Sequence, residues 1–521
     1  MNDSPPAQRS FKLRYVLYSA IVCVGFFALL NWAIESLEDR GVVDTHDPDD
    51  QVQHLTERIW ERRGDRWVTT TYGSEHFVQD SFAVDRTGPR VFLTGGSWAL
   101  GTPYSYQGSP PAPGSMHSFL EAWLRAELGP GAELVNAAAG GQDSHRVVQV
   151  VQEAVAHSPD ILVVATCNNE GALTPARLQG WLKEQGGYRL LERILASNEE
   201  PARTVFTAQA KEIDRVAAAY EANLEAIATA SREAQVPLVL ATLPQHLLYQ
   251  GLDDGQDPEA DRSADYWTIE PTYQGSLPEP SWIEQVNPCL AVLALLEAGE
   301  WELSLAMTKW CLTEHSLGPK SVEVARARMH LGRGTDDDRR VLGAFYGPCV
   351  AQGMRELRDD KPEAAIRTLS ACEGRIDEAL RWNGIAHGAT GDLARARELL
   401  RHSVELNPRN RCRPSFNQIA REVAARHSHV TLADLEYAAE QLAPNGLPGH
   451  ELFLDSCHMN WRGYGSMAKS LAVTLGPMLG ADPASLDPEA LGVSWGLPRG
   501  DAVDQIVFAY SDGKIRLDDG P

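Results

Sequence analysis

Between residues 90 and 242 short apolar runs alternate with stretches of helical spacing. Arg90–Leu93 reads as a strand that runs into Gly95-Gly96-Ser97. Ser115–Leu128 puts Phe119, Leu120, Trp123, Leu124 and Leu128 on one helical face. Glu133–Ala138 is a second strand, Ser144–His157 a second helix, and Asp160–Thr166 (DILVVAT) a strand apolar on both faces. A long helix, Asp214–Ala234, leads into another such strand, Val236–Thr242 (VPLVLAT). Strands apolar on both faces and separated by helices predict a parallel sheet covered on both sides, the α/β class.

The alternation stops after residue 250. Gly251–Pro280 is rich in Asp, Gly and Pro and reads as a surface loop. From Glu284 to Asn410 only helices follow, in pairs. Gly384, Gly391, Ala396, Leu400 and Pro408 occupy small and apolar packing positions of a tetratricopeptide-type repeat. Ala298-Gly299-Glu300-Trp301 and Asp359-Asp360-Lys361-Pro362 read as turns of two earlier repeats, spaced by more than one period of about 34 residues. The strand–helix pattern then resumes, with helix Ser415–Arg426, strand Val430–Asp434 and helix Gly463–Leu479. The α/β domain is thus split by a helical insertion, which is cheap at a surface loop because the ends of an insert lie close together.

At the other end of the chain, Tyr15–Ile34 is apolar except for Ser19, Gly25 and Asn31. About 20 helical residues cross a hydrocarbon core of roughly 30 Å. Arg9, Lys12 and Arg14 precede the run and Glu35, Glu38 and Asp39 follow it, so the remainder of the chain is expected outside the cytoplasm. A cleaved signal peptide is the rival reading; the run is long for one, and no small-x-small cleavage site follows. The division is a cytoplasmic tail at 1–12, a transmembrane signal anchor at 13–34, a stalk at 35–66 and a first α/β part at 67–250, in which Trp67–Val84 supplies one or two edge strands. A loop at 251–283, the helical insertion at 284–410, a second α/β part at 411–482 and an extension at 483–521 complete it. In the extension Gln505–Tyr510 and Lys514–Leu517 alternate without a clear role.

Composition narrows the function more than the fold. Hydrophobic residues make up 43% of the 521 and charged residues 23%, enough for a sizeable core. With 47 Lys and Arg against 71 Asp and Glu the net charge is −24. That argues against a phosphate-binding surface for nucleic acid and disfavours broad adhesion to anionic lipid. No Walker motif or dinucleotide fingerprint is present.

The candidate chemistry sits at the carboxyl ends of the strands, where open α/β sheets bind ligands. Ser97 lies in a glycine-rich strand-to-helix turn, though Ala99 rules out the G-x-S-x-G elbow. Asn136-Ala137-Ala138-Ala139-Gly140-Gly141-Gln142 offers the Gly141 N–H to a developing oxyanion, and Cys167-Asn168-Asn169-Glu170-Gly171 offers the Asn169 amide. In Asp455-Ser456-Cys457-His458 the spacing lets Asp455 orient His458, which serves as general base. Taken singly, the first three are ordinary turns.

Together the four segments, in this order, resemble the SGNH (GDSL-like) hydrolase superfamily. The likeness extends to Thr102-Pro103-Tyr104, Asn168-Asn169-Glu170, Tyr220–Leu224 (YEANL), Arg413–Asn417 (RPSFN) and Leu452–Asn460, which look like a bacterial membrane-anchored subgroup with inserted tetratricopeptide-like helices. The resemblance implies a flavodoxin-like three-layer sandwich and a triad of Ser97, Asp455 and His458. It also implies an oxyanion hole from the Ser97 amide, Gly141 and Asn169. Gly96 stands where the family signature has Asp, Asn168 where the subgroup often has His, and Cys457 and Met459 replace an apolar residue and a proline.

Several readings follow as expectations. The chain is a single-pass protein of a bacterial inner membrane with a periplasmic esterase or deacylase domain. It acts through an acyl-enzyme on O-acyl esters of an envelope glycan or lipid. An O-acyltransferase uses the same intermediate, and a non-catalytic assembly factor whose repeats bind a protein partner is the third reading. No cofactor or nucleic acid is expected. Asp455, His458 and His450 are rejected as a metal site because no second ligand pair has suitable spacing. Cys167 and Cys457 are taken as buried packing residues. Cys289 with Cys311, 22 residues apart, and Cys349 with Cys372, 23 apart, are expected to form disulfides across helical hairpins.

Overall fold

The apolar runs form one sheet in the computed structural model. It describes residues 58–170, 210–249 and 322–498, with breaks at 79–80, 107, 109–111, 332, 334, 337, 340–341, 343–345, 373–375 and 409–410, together with Leu295, Ser304 and Leu305. A small antiparallel sheet comes first, from β1 (Trp60–Arg63), β2 (Arg66–Thr69) and β3 (Ser81–Ala83). The main sheet holds β4 (Arg90–Gly95), β5 (Glu133–Asn136), β6 (Ile161–Ala165), β7 (Leu238–Thr242) and β8 (Val430–Asp434). Its order is β5-β4-β6-β7-β8 and every pairing is parallel. All residues of β4, β6 and β7 are buried, which is why their centres read as continuous apolar runs, with the polar Arg90, Thr94 and Thr242 buried toward the strand ends. The chain steps one way from β4 to β5 and the other way thereafter, so the loops leaving β4 and β6 diverge and open a crevice at their carboxyl ends.

Helices cover both faces. The first three are α1 (Met116–Leu128), α2 (Ser144–Val155) and α3 (Ala210–Glu233); the insertion then supplies α4 (Val322–His330), α5 (Pro348–Arg358), α6 (Pro362–Ser370), α7 (Ile376–Ala389) and α8 (Leu393–Leu406), which pack on one another and not on the sheet. After these come α9 (Pro414–Arg426), α10 (Leu435–Leu442), α11 (Trp461–Leu479) and α12 (Pro488–Ser494). The α3 helix packs on α2 and α9, and α11 packs on α1; the right-handed rule for parallel crossovers puts these two groups on opposite faces. Side chains fix the starts of several of these helices: Ser115 caps α1, Asp143 caps α2 and Asn460 caps α11.

In the insertion, α5 with α6 and α7 with α8 form two hairpins of the same internal design. Gly353, Ala365 and Leu369 of the first recur as Gly384, Ala396 and Leu400 of the second, at a constant offset of 31 residues. A Cβ on Gly353 would lie 2.4 Å from Leu369 Cγ, and one on Gly384 2.7 Å from Leu400 Cγ. Each glycine thus makes room for the leucine of the next helix. Cys349 and Cys372 are bonded, as expected from their spacing. The α8 helix docks on the α/β domain: Ala396, Leu400 and Val404 pack with Leu247 and Leu447, and Arg401 pairs with Glu436 and Glu440.

Two boundaries move. Residues 60–63, assigned to the stalk, are a strand; β2 pairs with it and β3 pairs with β2, so these strands form their own sheet rather than edging the main one. Trp60 alone gives β1 an apolar inward face, packing edge-on against Phe82 and Phe92, so the segment WERR reads as polar. Residues 483–498 belong to the domain: Lys469 Nζ donates to the carbonyls of Pro483 and Leu486, and Gly492 closes on the Trp461 ring. Among the described residues no helix is long and apolar enough to cross a membrane. The expected span at 13–34, the loop at 251–283, the turn Ala298–Trp301, the Cys289–Cys311 pair, Gln505–Tyr510 and Lys514–Leu517 lie outside the described residues.

Candidate active site

Ser97 owes its place to the two glycines before it. Gly95 runs so close to β6 that a Cβ there would lie 2.0 Å from the Ala165 carbonyl oxygen. Ser97 then opens a one-turn helix, Ser97–Leu100, whose next three side chains are buried. Gly101, at φ 99°, ends the turn, and the N–H groups of Gly101 and Thr102 both return to the Ser97 carbonyl. Ser97 is left half-buried at the mouth of the crevice.

The second half of the site arrives on a loop closed upon itself. Leu454 N–H donates to the His458 carbonyl at 2.9 Å and Asn460 N–H to the Leu452 carbonyl at 3.0 Å. Inside this loop Asp455 Oδ1 accepts the backbone N–H groups of Cys457 (2.9 Å) and His458 (2.7 Å). Asp455 Oδ2 lies 2.7 Å from His458 Nδ1, and His458 Nε2 lies 2.8 Å from Ser97 Oγ. The loop is held to the segment after Ser97 at two points. Trp461 N–H donates to the Tyr104 hydroxyl at 2.8 Å, and the Tyr464 hydroxyl donates to the Thr102 carbonyl at 2.7 Å.

Burial opposes charge on His458, but the Asp455 carboxylate beside it, with Cys457, outweighs that and raises its pKa well above the ordinary imidazole value. Burial likewise works against the Asp455 carboxylate, and His458 together with the two backbone N–H groups holds it below its ordinary value.

No family model, curated protein or solved structure matches the chain. The site is legible from its own geometry. Ala139 N–H donates to the Gly95 carbonyl at 3.1 Å, which stitches the loop after β5 to the end of β4. Gly141 turns this loop at φ 69°, and the carbonyl of the next residue, Gln142, accepts from Asn169 Nδ2 at 3.1 Å. That bond takes one of the two amide hydrogens and leaves the other as a donor. Ser97, His458 and Asp455 therefore form one hydrogen-bonded line. Asn169 lies against Gly96, and Gly141 shares the loop that holds Asn169. Such a line can move a proton from the serine hydroxyl to imidazole while the spare amide donor meets a developing oxyanion.

Three further features carry little or no signal in the sequence. Glu170 clamps the Asn169 loop to α2: its oxygens accept from Ser144 N–H at 2.9 Å and Ser144 Oγ at 2.7 Å, and Asn223 Nδ2 reaches the same hydroxyl at 2.9 Å. Burial, followed by the charge of Asp143, pushes Glu170 up to about 8. Its only sequence signal is its place in Asn168-Asn169-Glu170. His246, after β7, touches the Asp455 backbone and carries no signal. Cys167 is not a lone packing residue but is bonded to Cys412 across 245 residues, a pairing set by tertiary contact. Cys457 is a buried thiol whose sulfur lies 3.7 Å from His458 Nδ1. Donor atoms of Asp455, Cys457 and His458 fall within 4.8 Å of one another; the Asp455 hydrogen bonds account for that grouping.

Proposed function

We propose that this chain is a serine hydrolase of the SGNH type that removes acyl groups from O-acyl esters of an envelope glycan or lipid. The observation that carries this reading is the continuous line from Ser97 Oγ to His458 Nε2 and from His458 Nδ1 to Asp455 Oδ2. Ser97 Oγ attacks the ester carbonyl as His458 Nε2 takes its proton. Asp455 steadies the imidazolium, and the oxyanion is met by Asn169, with the Gly141 and Ser97 amides in the same role. Collapse breaks the ester C–O bond, and the departing alkoxide leaves with the proton from His458. Water then attacks the Ser97 acyl ester with His458 again as base, releasing carboxylate and restoring the serine.

Two disulfides, Cys167–Cys412 and Cys349–Cys372, support an oxidising, extracytoplasmic location, with residues 13–34 as the anchor. The repeated Gly–Ala–Leu packing of the two hairpins supports a tetratricopeptide-like insertion with a protein partner. The deciding experiment is p-nitrophenyl acetate turnover by the full chain and by Ser97→Ala, with fluorophosphonate labelling of Ser97. Turnover and labelling that both vanish with the serine support the reading; a wild-type chain that neither turns over nor labels removes it.

A further inference from the structure

Behind Asp455 lies a second histidine that the triad does not use. His246 follows β7 and is 1% exposed. Its Nδ1 lies 2.8 Å from the main-chain carbonyl oxygen of Asp455. A carbonyl only accepts, so Nδ1 carries the proton. The ring stacks on Phe453, with centroids 5.2 Å apart and planes 6° from parallel. Its own backbone is pinned on both sides: the His246 carbonyl accepts from Arg411 Nη1 at 2.9 Å, and Leu247 N–H donates to the Pro448 carbonyl at 2.9 Å. Arg411, buried, also donates through Nε to the Pro408 carbonyl at 2.8 Å, where the helical insertion returns to the α/β domain.

The carbonyl of Asp455 belongs to the peptide plane that leaves its Cα. Holding that oxygen fixes the plane, and with it the direction in which Cα–Cβ aims the carboxylate at His458. We propose that His246 is a positioning residue for the Ser97–His458–Asp455 line, acting through the Asp455 carbonyl, with Arg411 tying it to the foot of the helical insertion. Burial, with the charges of Arg411 and His450 adding to it and the Asp455 carbonyl and carboxylate opposing, lowers the His246 pKa to about 3. The ring therefore stays neutral and keeps its Nδ1–H at any pH where an ester hydrolase of this kind works.

The inference rests on the hydrolase reading for its kinetic consequence but not for its geometric one. The test uses the full chain with three variants. His246→Phe keeps a ring on Phe453 and loses the donor, His246→Asn places an amide nitrogen near the Nδ1 position, and His246→Gln places it near Nε2. Expected for His246→Phe are a kcat on p-nitrophenyl acetate lower by about 10- to 100-fold with KM within about twofold, since small misplacements of a catalytic group cost this much. The His458 imidazole titration, followed by NMR, also moves down toward the ordinary value. His246→Asn recovers most of both, and His246→Gln does not. A His246→Phe chain with wild-type kcat and an unmoved His458 titration overturns the proposal. So does equal behaviour of the Asn and Gln variants, which decides the matter even where the Phe variant fails to fold. The His458 titration needs no turnover, so an inert wild-type chain removes the hydrolase reading while the positioning role is still decided.

Discussion

Gly96 and Asn169 touch so closely that a Cβ on the glycine would lie 2.7 Å from the asparagine Nδ2 and 3.1 Å from the Gln142 carbonyl oxygen. The amide of Asn169 thus rests on the backbone of the residue before Ser97, the proposed nucleophile, and the missing side chain at Gly96 is what lets it stay there. Gly96→Ala is expected to push Asn169 aside with little effect on folding, because Gly96 sits at φ −83°, where alanine meets no backbone penalty. Loss of one oxyanion donor lowers kcat by about 10²–10³-fold. Steady-state kinetics beside a thermal melt checks this; a full-rate variant would show that Asn169 is not used.

Asp455→Asn separates orientation from charge at His458. The carboxylate holds the His458 pKa high, so wild-type activity is expected to rise with pH along a limb displaced above the ordinary imidazole range. Without the negative charge the His458 pKa falls, and the limb moves to lower pH. At the plateau kcat drops by about 10³–10⁴-fold, as expected when the imidazole loses its tautomer and its counter-charge. The pH–rate profiles of the two proteins decide it, and coincident limbs would contradict the assigned pairing.

Glu170 makes stability depend on pH in a definite direction. Its pKa is 4.5 in the unfolded reference and about 8 in the folded chain. Between those values the folded state holds a proton that the unfolded state has released, so stability falls as pH rises from one to the other. Glu170→Gln removes this dependence. Its melting temperature relative to wild type is expected to climb between pH 5 and pH 8, by an amount worth on the order of a few kcal/mol. A constant difference across that range would mean that Glu170 is ionised in the fold.

The two disulfides among the described residues differ in what they close. Cys167–Cys412 spans 245 residues and Cys349–Cys372 only 23. Loop-closure entropy favours the longer link, and replacing Cys167 and Cys412 by Ser is expected to cost about 2–5 kcal/mol, more than the same change at the shorter pair. Asn169 follows Cys167 by two residues, so loss of the longer link is also expected to lower the rate of the proposed reaction. Thermal melts and ester turnover with and without reductant test both effects.

The strands buried on both faces were legible because burial on two sides leaves nothing but apolar residues, as in Ile161–Ala165. Ser97, Asn169, Asp455 and His458 stand out in the sequence because the proposed chemistry calls for those residue types next to turns, and the fold brings Ser97, His458 and Asp455 into hydrogen-bond contact. What escaped is held by groups that leave no pattern. His246 acts on a main-chain carbonyl, which every residue has. Cys167 finds Cys412 only through the folded sheet. Trp60–Arg63 is half water-facing, and the seven residues of Pro488–Ser494 are too few for a helical period to stand out, although they close over Trp461.

Thr242, at the end of β7, donates to Asp434, at the end of β8, across 192 residues. During synthesis at about 5–20 residues per second the outer edge of β7 is therefore made roughly 10–40 s before its partner leaves the ribosome. An unpaired, largely apolar strand edge is a template for pairing with other chains. The helices of the insertion are built from local contacts and can form during that wait, whereas the sheet cannot close until they are complete. The order of manufacture places a demand on chaperoning of the nascent chain that the finished molecule no longer displays.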